Sequence, residues 1–178
     1  FSVSDKEYFL NQISSIDFEL LDIFNQMISE SSKEKGIFHP CHVLKRMDFI
    51  DYRKKGEELI SSGELGLITV AGGDGSRLGW KGPKGTYPAA PLSGKSLFQI
   101  IAEQIIYAQQ RYEVIIPWYI MTSKTNSALT KSFLLDNNCF GLERSDIFIF
   151  EQEQVPALSL DGKLILENKA SIIMNPNG

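Results

Sequence analysis

Residues 67–85 read LITVAGGDGSRLGWKGPKG, and this stretch constrains the fold more than any other. An apolar run, Leu65–Ala71, has the length and texture of a buried strand. It ends abruptly in a loop over residues 72–95 with glycines at 72, 73, 75 and 79. Those glycines permit positive φ angles and remove side chains that would obstruct a ligand. Successive N–H groups can then turn inward as an anion-binding nest. Arg77 offers a planar fork that suits phosphate oxygens, and Lys84 offers a compact charge stiffened by Pro83. The dinucleotide fingerprint G-x-G-x-x-G fails, because from Gly73 and Gly75 its third glycine falls on Leu78. A Walker A loop ending at Gly94-Lys95-Ser96 fails because Ala89 stands where its first glycine belongs. Read for itself, the loop suits a polyphosphate with a base or sugar lying along the backbone. The alternative is a surface loop with solvated charges. The position at the end of a buried strand favours binding, since open α/β sheets take ligands beyond the carboxyl ends of their strands.

The surrounding pattern supplies such a sheet. Residues 5–30 place Phe9, Ile13, Ile16, Leu20, Ile23, Phe24, Met27 and Ile28 at helical spacings, with a break expected near Ser14-Ser15. Residues 31–42 read as a connection. Residues 45–61 read as a helix stopping at Ser62-Gly63. After the strand and loop, Ser93 or Ser96 can cap a helix over 97–112. Val114–Thr122 is a second apolar strand, where Pro117 predicts an edge or a bulge. A helix over 125–138 and a strand over Asp146–Phe150 follow. Asp161-Gly162 within Leu158–Leu166 signals a hairpin, and Ser171–Met174 reads as a fourth strand. Strand, helix, strand, helix, strand predicts an α/β fold with a mostly parallel sheet and flanking helices.

Composition narrows the partners. A net charge of -4 over 178 residues argues against nucleic acid or an acidic membrane, since both select basic surfaces. The only cysteines, Cys41 and Cys139, form no disulfide framework, so a reduced cytoplasmic setting is expected. No apolar stretch has the length of a membrane span, and Asp5, Lys6 and Glu7 argue against a signal peptide. A start at Phe1 and an end at Asn175-Pro176-Asn177-Gly178 lead to the expectation that the chain is a fragment of a longer protein.

Val70 through Gly79, followed by Pro83-Lys84-Gly85, resembles the signature of the UDP-sugar pyrophosphorylases, most of all their N-acetylglucosamine branch. Asp74 stands where that branch has glutamine, and Ser76 where it has threonine. Ser96–Gln99, Ile116–Ser123, and Pro156-Ala157 with Leu160–Lys163 are similar to the family in the same order. The likeness covers residues 55–178. Gly79–Lys84 is also similar to the UDP-glucose branch.

The resemblance implies a Rossmann-like nucleotidyltransferase sheet, here truncated. Residues 1–62 would be a helical lead-in, and 63–178 the first part of a UTP-binding domain. It implies a uridylyltransferase that joins UTP and a sugar 1-phosphate, N-acetylglucosamine 1-phosphate first, into a UDP-sugar and pyrophosphate. Glucose or galactose 1-phosphate is the alternative substrate, and a non-catalytic UTP-binding module the alternative class; the fragment alone is expected to be inactive. The resemblance places Val70, Ala71, Gly72, Gly73 and Gly75 beside the nucleotide. It gives Gln152 the uracil edge, a role its donor-and-acceptor amide suits, and Gly178 the entry to the sugar-binding turn. Arg77 and Lys84 would hold the triphosphate. Magnesium is expected with the nucleotide; the family's metal-binding aspartate would follow residue 178, so no ligand is assigned. Asp74 reads as electrostatic tuning and Asp161 as a turn residue. His39-Pro40-Cys41-His42 lacks a second cluster to complete a metal set. Lys95 reads as a solvated helix start or a substrate neighbour, and Trp118 and Tyr119 as core.

Overall fold

The computed structural model describes residues 2–31, 39–41 and 52–176. In chain order its elements are α1 (Val3–Ser14), α2 (Phe18–Ser31), α3 (Arg53–Ser61), β1 (Leu67–Val70), α4 (Leu97–Tyr112), β2 (Trp118–Thr122), α5 (Ser127–Asp136), β3 (Ile147–Glu151), β4 (Gln154–Pro156), β5 (Leu166–Asn168), β6 (Ser171–Ile172) and β7 (Met174–Pro176). They fall into two compact units. One takes the described residues up to 41 and those from Gln154 onward; the other takes residues 52–153. The division at 62/63 read from the sequence is a proposal about domains. The first part of the helix expected over 45–61, together with His42 and Gly178, lies outside the described residues.

The second unit is a three-stranded parallel sheet in the order β1-β2-β3. Leu67 pairs with Trp118, and Trp118 with Ile147. The alternation of a strand puts Trp118, Ile120 and Thr122 on one face, fully buried. Helix α4 supplies Phe98, Ala102 and Ile105 to the same core, at the spacing of one helical face. Ser96 caps that helix, its Oγ accepting from Gln99 N–H at 3.1 Å. The Phe98 and Trp118 rings meet edge to face at 5.9 Å. Trp118 is satisfied in the interior because its Nε1 donates to Thr69 Oγ1 at 2.8 Å.

Two expectations need correction. Tyr119 is not core: it alternates to the opposite face, where it stacks on Phe148 at 5.0 Å beside exposed Ile68 and Phe150. Pro117 marks neither an edge nor a bulge. It precedes β2, the central strand, so its missing N–H costs the ladder nothing, while its carbonyl accepts from Leu67 N–H at 2.9 Å.

In the first unit Ser2 and Asp5 close a capping box on α1, and Ser15 ends the helix where the break was expected. Ile16 and Leu21 pack with Ile172, with Phe9, Ile13 and Phe24 around them. Gln12 Oε1 accepts from Ile172 N–H at 3.1 Å. The Asp161-Gly162 turn forms, with Gly162 at φ 77 and Leu158 bridged to Leu164. Asp161 accepts from Ser159 Oγ at 2.6 Å and pairs with Lys163. The fourth predicted strand is split at Ile173 into β6 and β7, the second of which pairs antiparallel with β4. Among the described residues no helix is long and apolar enough to cross a membrane.

Lys95 Nζ lies 2.6 Å from Glu103 Oε2. The hydrogen bond from Lys95 is the main cause that holds the Glu103 carboxyl below its ordinary value. A depressed carboxylate contributes stability at neutral pH that is lost as pH falls through the folded-state value. Glu103→Gln is therefore expected to lower the urea midpoint slightly at pH 7, as exposed pairs do, and to match the parent once the pH is below that value. Equal midpoints at neutral pH would refute a stabilising pair.

Candidate functional site

The site is built at the carboxyl ends of the three strands. β1 makes its last sheet hydrogen bond through Ala71 N–H to Met121 O at 2.7 Å, and the glycine loop begins there. The loop folds back on itself: Gly75 N–H donates to Gly82 O at 2.9 Å and Lys84 N–H to Gly73 O at 3.1 Å. Trp80 closes it. Its indole Nε1 donates to Thr86 Oγ1 at 2.8 Å, and that hydroxyl donates to Pro83 O at 2.8 Å.

The glycines act mainly by their small size. Of the four at 72, 73, 75 and 79, only Gly79 has a left-handed φ, 68°. A methyl group on Gly75 would stand 2.7 Å from Trp80 Cβ, so Gly75 makes room for the indole. Its N–H is committed to Gly82, whereas the N–H groups of Gly72, Gly73 and Asp74 have no backbone partner among the described residues. A methyl on Gly72 would lie 2.7 Å from Gln152 Oε1 and 2.8 Å from both Cδ and Nε2. The Gln152 amide thus lies against the Gly72 backbone, although 80 residues of chain separate them.

Gln152 is held by its own N–H, which donates to Thr122 O at 2.7 Å. The residue is only 8% exposed, yet its side-chain amide makes no hydrogen bond among the described residues. A methyl on Gly73 would stand 3.7 Å from Lys84 Nζ. Lys84 and Arg77 are both exposed, and neither side chain has an ion pair or hydrogen bond among the described residues. Val70, Ala71, Gly73, Lys84 and Phe98 line a cleft of about 150 Å³. The structure therefore brings Gly72, Gly73, Lys84 and Gln152 together and leaves Arg77 on the outer turn, Ser76–Leu78. Lys95 is taken by Glu103.

A larger cavity of about 240 Å³ lies between α5 and β3, walled by Leu134, Leu135, Ile147 and Ile149. It includes neither the loop nor Gln152, so geometry and not size selects the site. Among the described residues no three His, Cys, Asp or Glu side chains gather into a set that could hold a metal ion. Cys41 and Cys139 are both free. Sequence reasoning missed Trp80, Thr86 and Asn126. Asn126 precedes helix α5, and nothing local reveals its bond to Ala71.

Residues 18–178 match the model of the UTP--glucose-1-phosphate uridylyltransferase family. The chain belongs to that family. The UDP-N-acetylglucosamine pyrophosphorylase of Saccharomyces cerevisiae is 41% identical over 72% of this chain and 28% of its own length. The probable UDP-N-acetylglucosamine pyrophosphorylase of Schizosaccharomyces pombe is 31% identical over 95% of this chain and 38% of its own length. The crystal structure of the uridine diphosphate N-acetylglucosamine pyrophosphorylase from Trypanosoma brucei superposes with a TM-score of 0.80 at 28% identity, covering 98% of this chain and 38% of that one. This member of the family thus spans about a quarter to two fifths of the length of those relatives, and the mixed sheet-and-helix architecture is that of the solved pyrophosphorylases.

Proposed function

We propose that the protein carrying this chain is a UTP:sugar-1-phosphate uridylyltransferase, with N-acetylglucosamine 1-phosphate as its sugar substrate, and that this segment holds the nucleotide. One observation carries the reading: an unbonded glutamine amide lies flush with bare glycine backbone at the end of a parallel sheet, with a lysine ammonium beside the next glycine. A uracil edge shows a carbonyl and an N–H together, and an amide answers both at once. Val70, Ala71, Gly72 and Gly73 would run along the uridine. Both polar backbone groups of Ala71 are already engaged, so Gly72 and Gly73 are the backbone left to address it.

In the reaction a phosphate oxygen of the sugar 1-phosphate forms a bond to the α-phosphorus of UTP. The α–β bridging P–O bond breaks, and pyrophosphate leaves. Such a transfer needs alignment and charge neutralisation and no nucleophilic side chain. Arg77 and Lys84 supply the charge on this chain and bear on the departing pyrophosphate. Gly75 shapes the loop from beneath. Magnesium is proposed to arrive with the nucleotide phosphates, with its protein ligand expected after residue 178. Sugar choice rests on the names of the relatives, and Gly178, proposed to open the sugar-binding turn, lies outside the described residues. No nucleic acid or membrane partner is proposed, and a reducing, cytoplasmic setting fits the two free thiols.

The test is a panel of sugar 1-phosphates with UTP on the full-length protein, following pyrophosphate release, alongside titration with UTP and ATP. Gly72→Ala drives a methyl into the Gln152 amide and is expected to weaken UTP binding by about tenfold, the worth of one good polar contact. Pyrophosphate release with no sugar 1-phosphate in the panel, or equal affinity for UTP and ATP, would overturn the reading.

A further inference from the structure

The two adjoining parts of the proposed base site, Gly72 and the Gln152 amide, are tied to one short segment. Thr122, the last residue of the central strand β2, holds Gln152 through its carbonyl at 2.7 Å. Four residues later Asn126, only 1% exposed, holds the backbone beside Gly72: its Nδ2 donates to Ala71 O at 3.2 Å. The Asn126 side chain is itself fixed, because its Oδ1 accepts from Ser123 N–H at 2.9 Å, while the Asn126 backbone N–H donates to Ser123 Oγ at 3.3 Å. Ser123 Oγ lies 2.9 Å from Thr125 Oγ1, which braces the turn. Thr122 Oγ1 donates to Phe150 O at 3.0 Å and locks the end of β3.

We infer that Asn126 is a positioning residue for base selection: by capturing the Ala71 carbonyl it sets the 71–72 peptide and thereby how the Gln152 amide is seated against Gly72. The inference rests on the uridine reading above. Ala71 O is the first carbonyl of β1 past the sheet ladder, and it is buried. Left alone it would rotate to find a donor, since a buried acceptor without one is costly. Rotating that peptide moves the Gly72 N–H and Cα, which abut the amide. Asn126 itself is only 1% exposed. It acts through Gly72 on one side, as Thr122 acts through Gln152 on the other. An amide seated this way discriminates by its fit to a base edge, whereas phosphate binding at Lys84 and Arg77 is indifferent to the base.

The experiment uses the full-length protein and compares UTP with ATP affinity by calorimetry. Asn126→Asp keeps the acceptor for Ser123 N–H and removes the donor to Ala71 O; Asn126→Ser is too short to reach that carbonyl. Each is expected to weaken UTP binding by about tenfold while ATP affinity holds, so the ratio falls by the same factor. In a Gln152→Ala background the same substitutions are expected to leave the ratio unchanged, because coupled residues are not additive. Folded Asn126 variants that keep the parent UTP:ATP ratio would overturn the positioning role while leaving the uridine reading standing. Failure of both variants to fold would also overturn it, in favour of a purely structural asparagine. A parent protein with no preference for UTP would remove the uridine reading and this inference together.

Discussion

Replacing Arg77 or Lys84 with alanine in the full-length protein is expected to lower kcat by about a hundredfold to a thousandfold while the unfolding midpoint stays that of the parent. The rate loss follows from the chemistry. In the proposed reaction negative charge collects on pyrophosphate as the α–β bridging bond breaks, and a positioned donor there is worth about 3–4 kcal/mol in the transition state. The unchanged stability follows from the structure. Both side chains are exposed, and neither has an ion pair or hydrogen bond among the described residues that truncation would break. Lys84 is brought to the loop by its backbone bond to Gly73, which alanine preserves. Arg77→Lys is expected to recover part of the rate, because the charge remains and the bidentate fork is lost. Steady-state kinetics with pyrophosphate detection, paired with thermal unfolding, reads both quantities. Near-parental rates in either alanine variant would show that its cation does not face the leaving group.

Gly85→Ala is expected to cost about 3 kcal/mol of stability, the upper part of the range for overpacking a filled core. A methyl there would sit 2.1 Å from Phe98 Cζ and 2.2 Å from Cε2, well inside contact distance. The ring has nowhere to go. Phe98 is fully buried, edge to face with Trp118 on one side and tilted against Phe133 at 6.4 Å on another. Either the core gives way or the Pro83-Lys84-Gly85 turn lifts off it, and the second outcome withdraws Lys84 from Gly73. Denaturant unfolding should show the loss. Adding Phe98→Leu should return part of it, since the smaller side chain makes room and neighbouring substitutions couple. A double variant no more stable than the sum of the two single losses would mean that Gly85 is required for some other reason.

Much of this was legible in the residues. The capped helix Leu97–Tyr112, the break in the N-terminal helices at Ser15, the Asp161-Gly162 turn and the parallel strands all follow local signals: period, caps and turn chemistry. Pro117 misled because the rule that forbids proline in a central strand says nothing of the residue just before one. Tyr119 misled because an apolar run without polar interruptions conceals which half of the alternation is buried. The glycines were recognised as necessary, but the reason differed by position, and only packing distinguishes a residue that must turn from one that must make room.

The sequence by itself determined the parallel α/β order, the glycine-rich exit from the first strand, the cations beside it and the family, because each depends on nearest-neighbour chemistry or on an ordered string of motifs. The tertiary structure alone decided that Gln152 lies against Gly72, that Trp80 and Gly75 share one space, and that Asn126 reaches back 55 residues to the Ala71 carbonyl. Those contacts join residues that no local signal relates. They exist because three parallel strands bring their carboxyl ends to one edge, where side chains from distant segments compete for the same few ångströms.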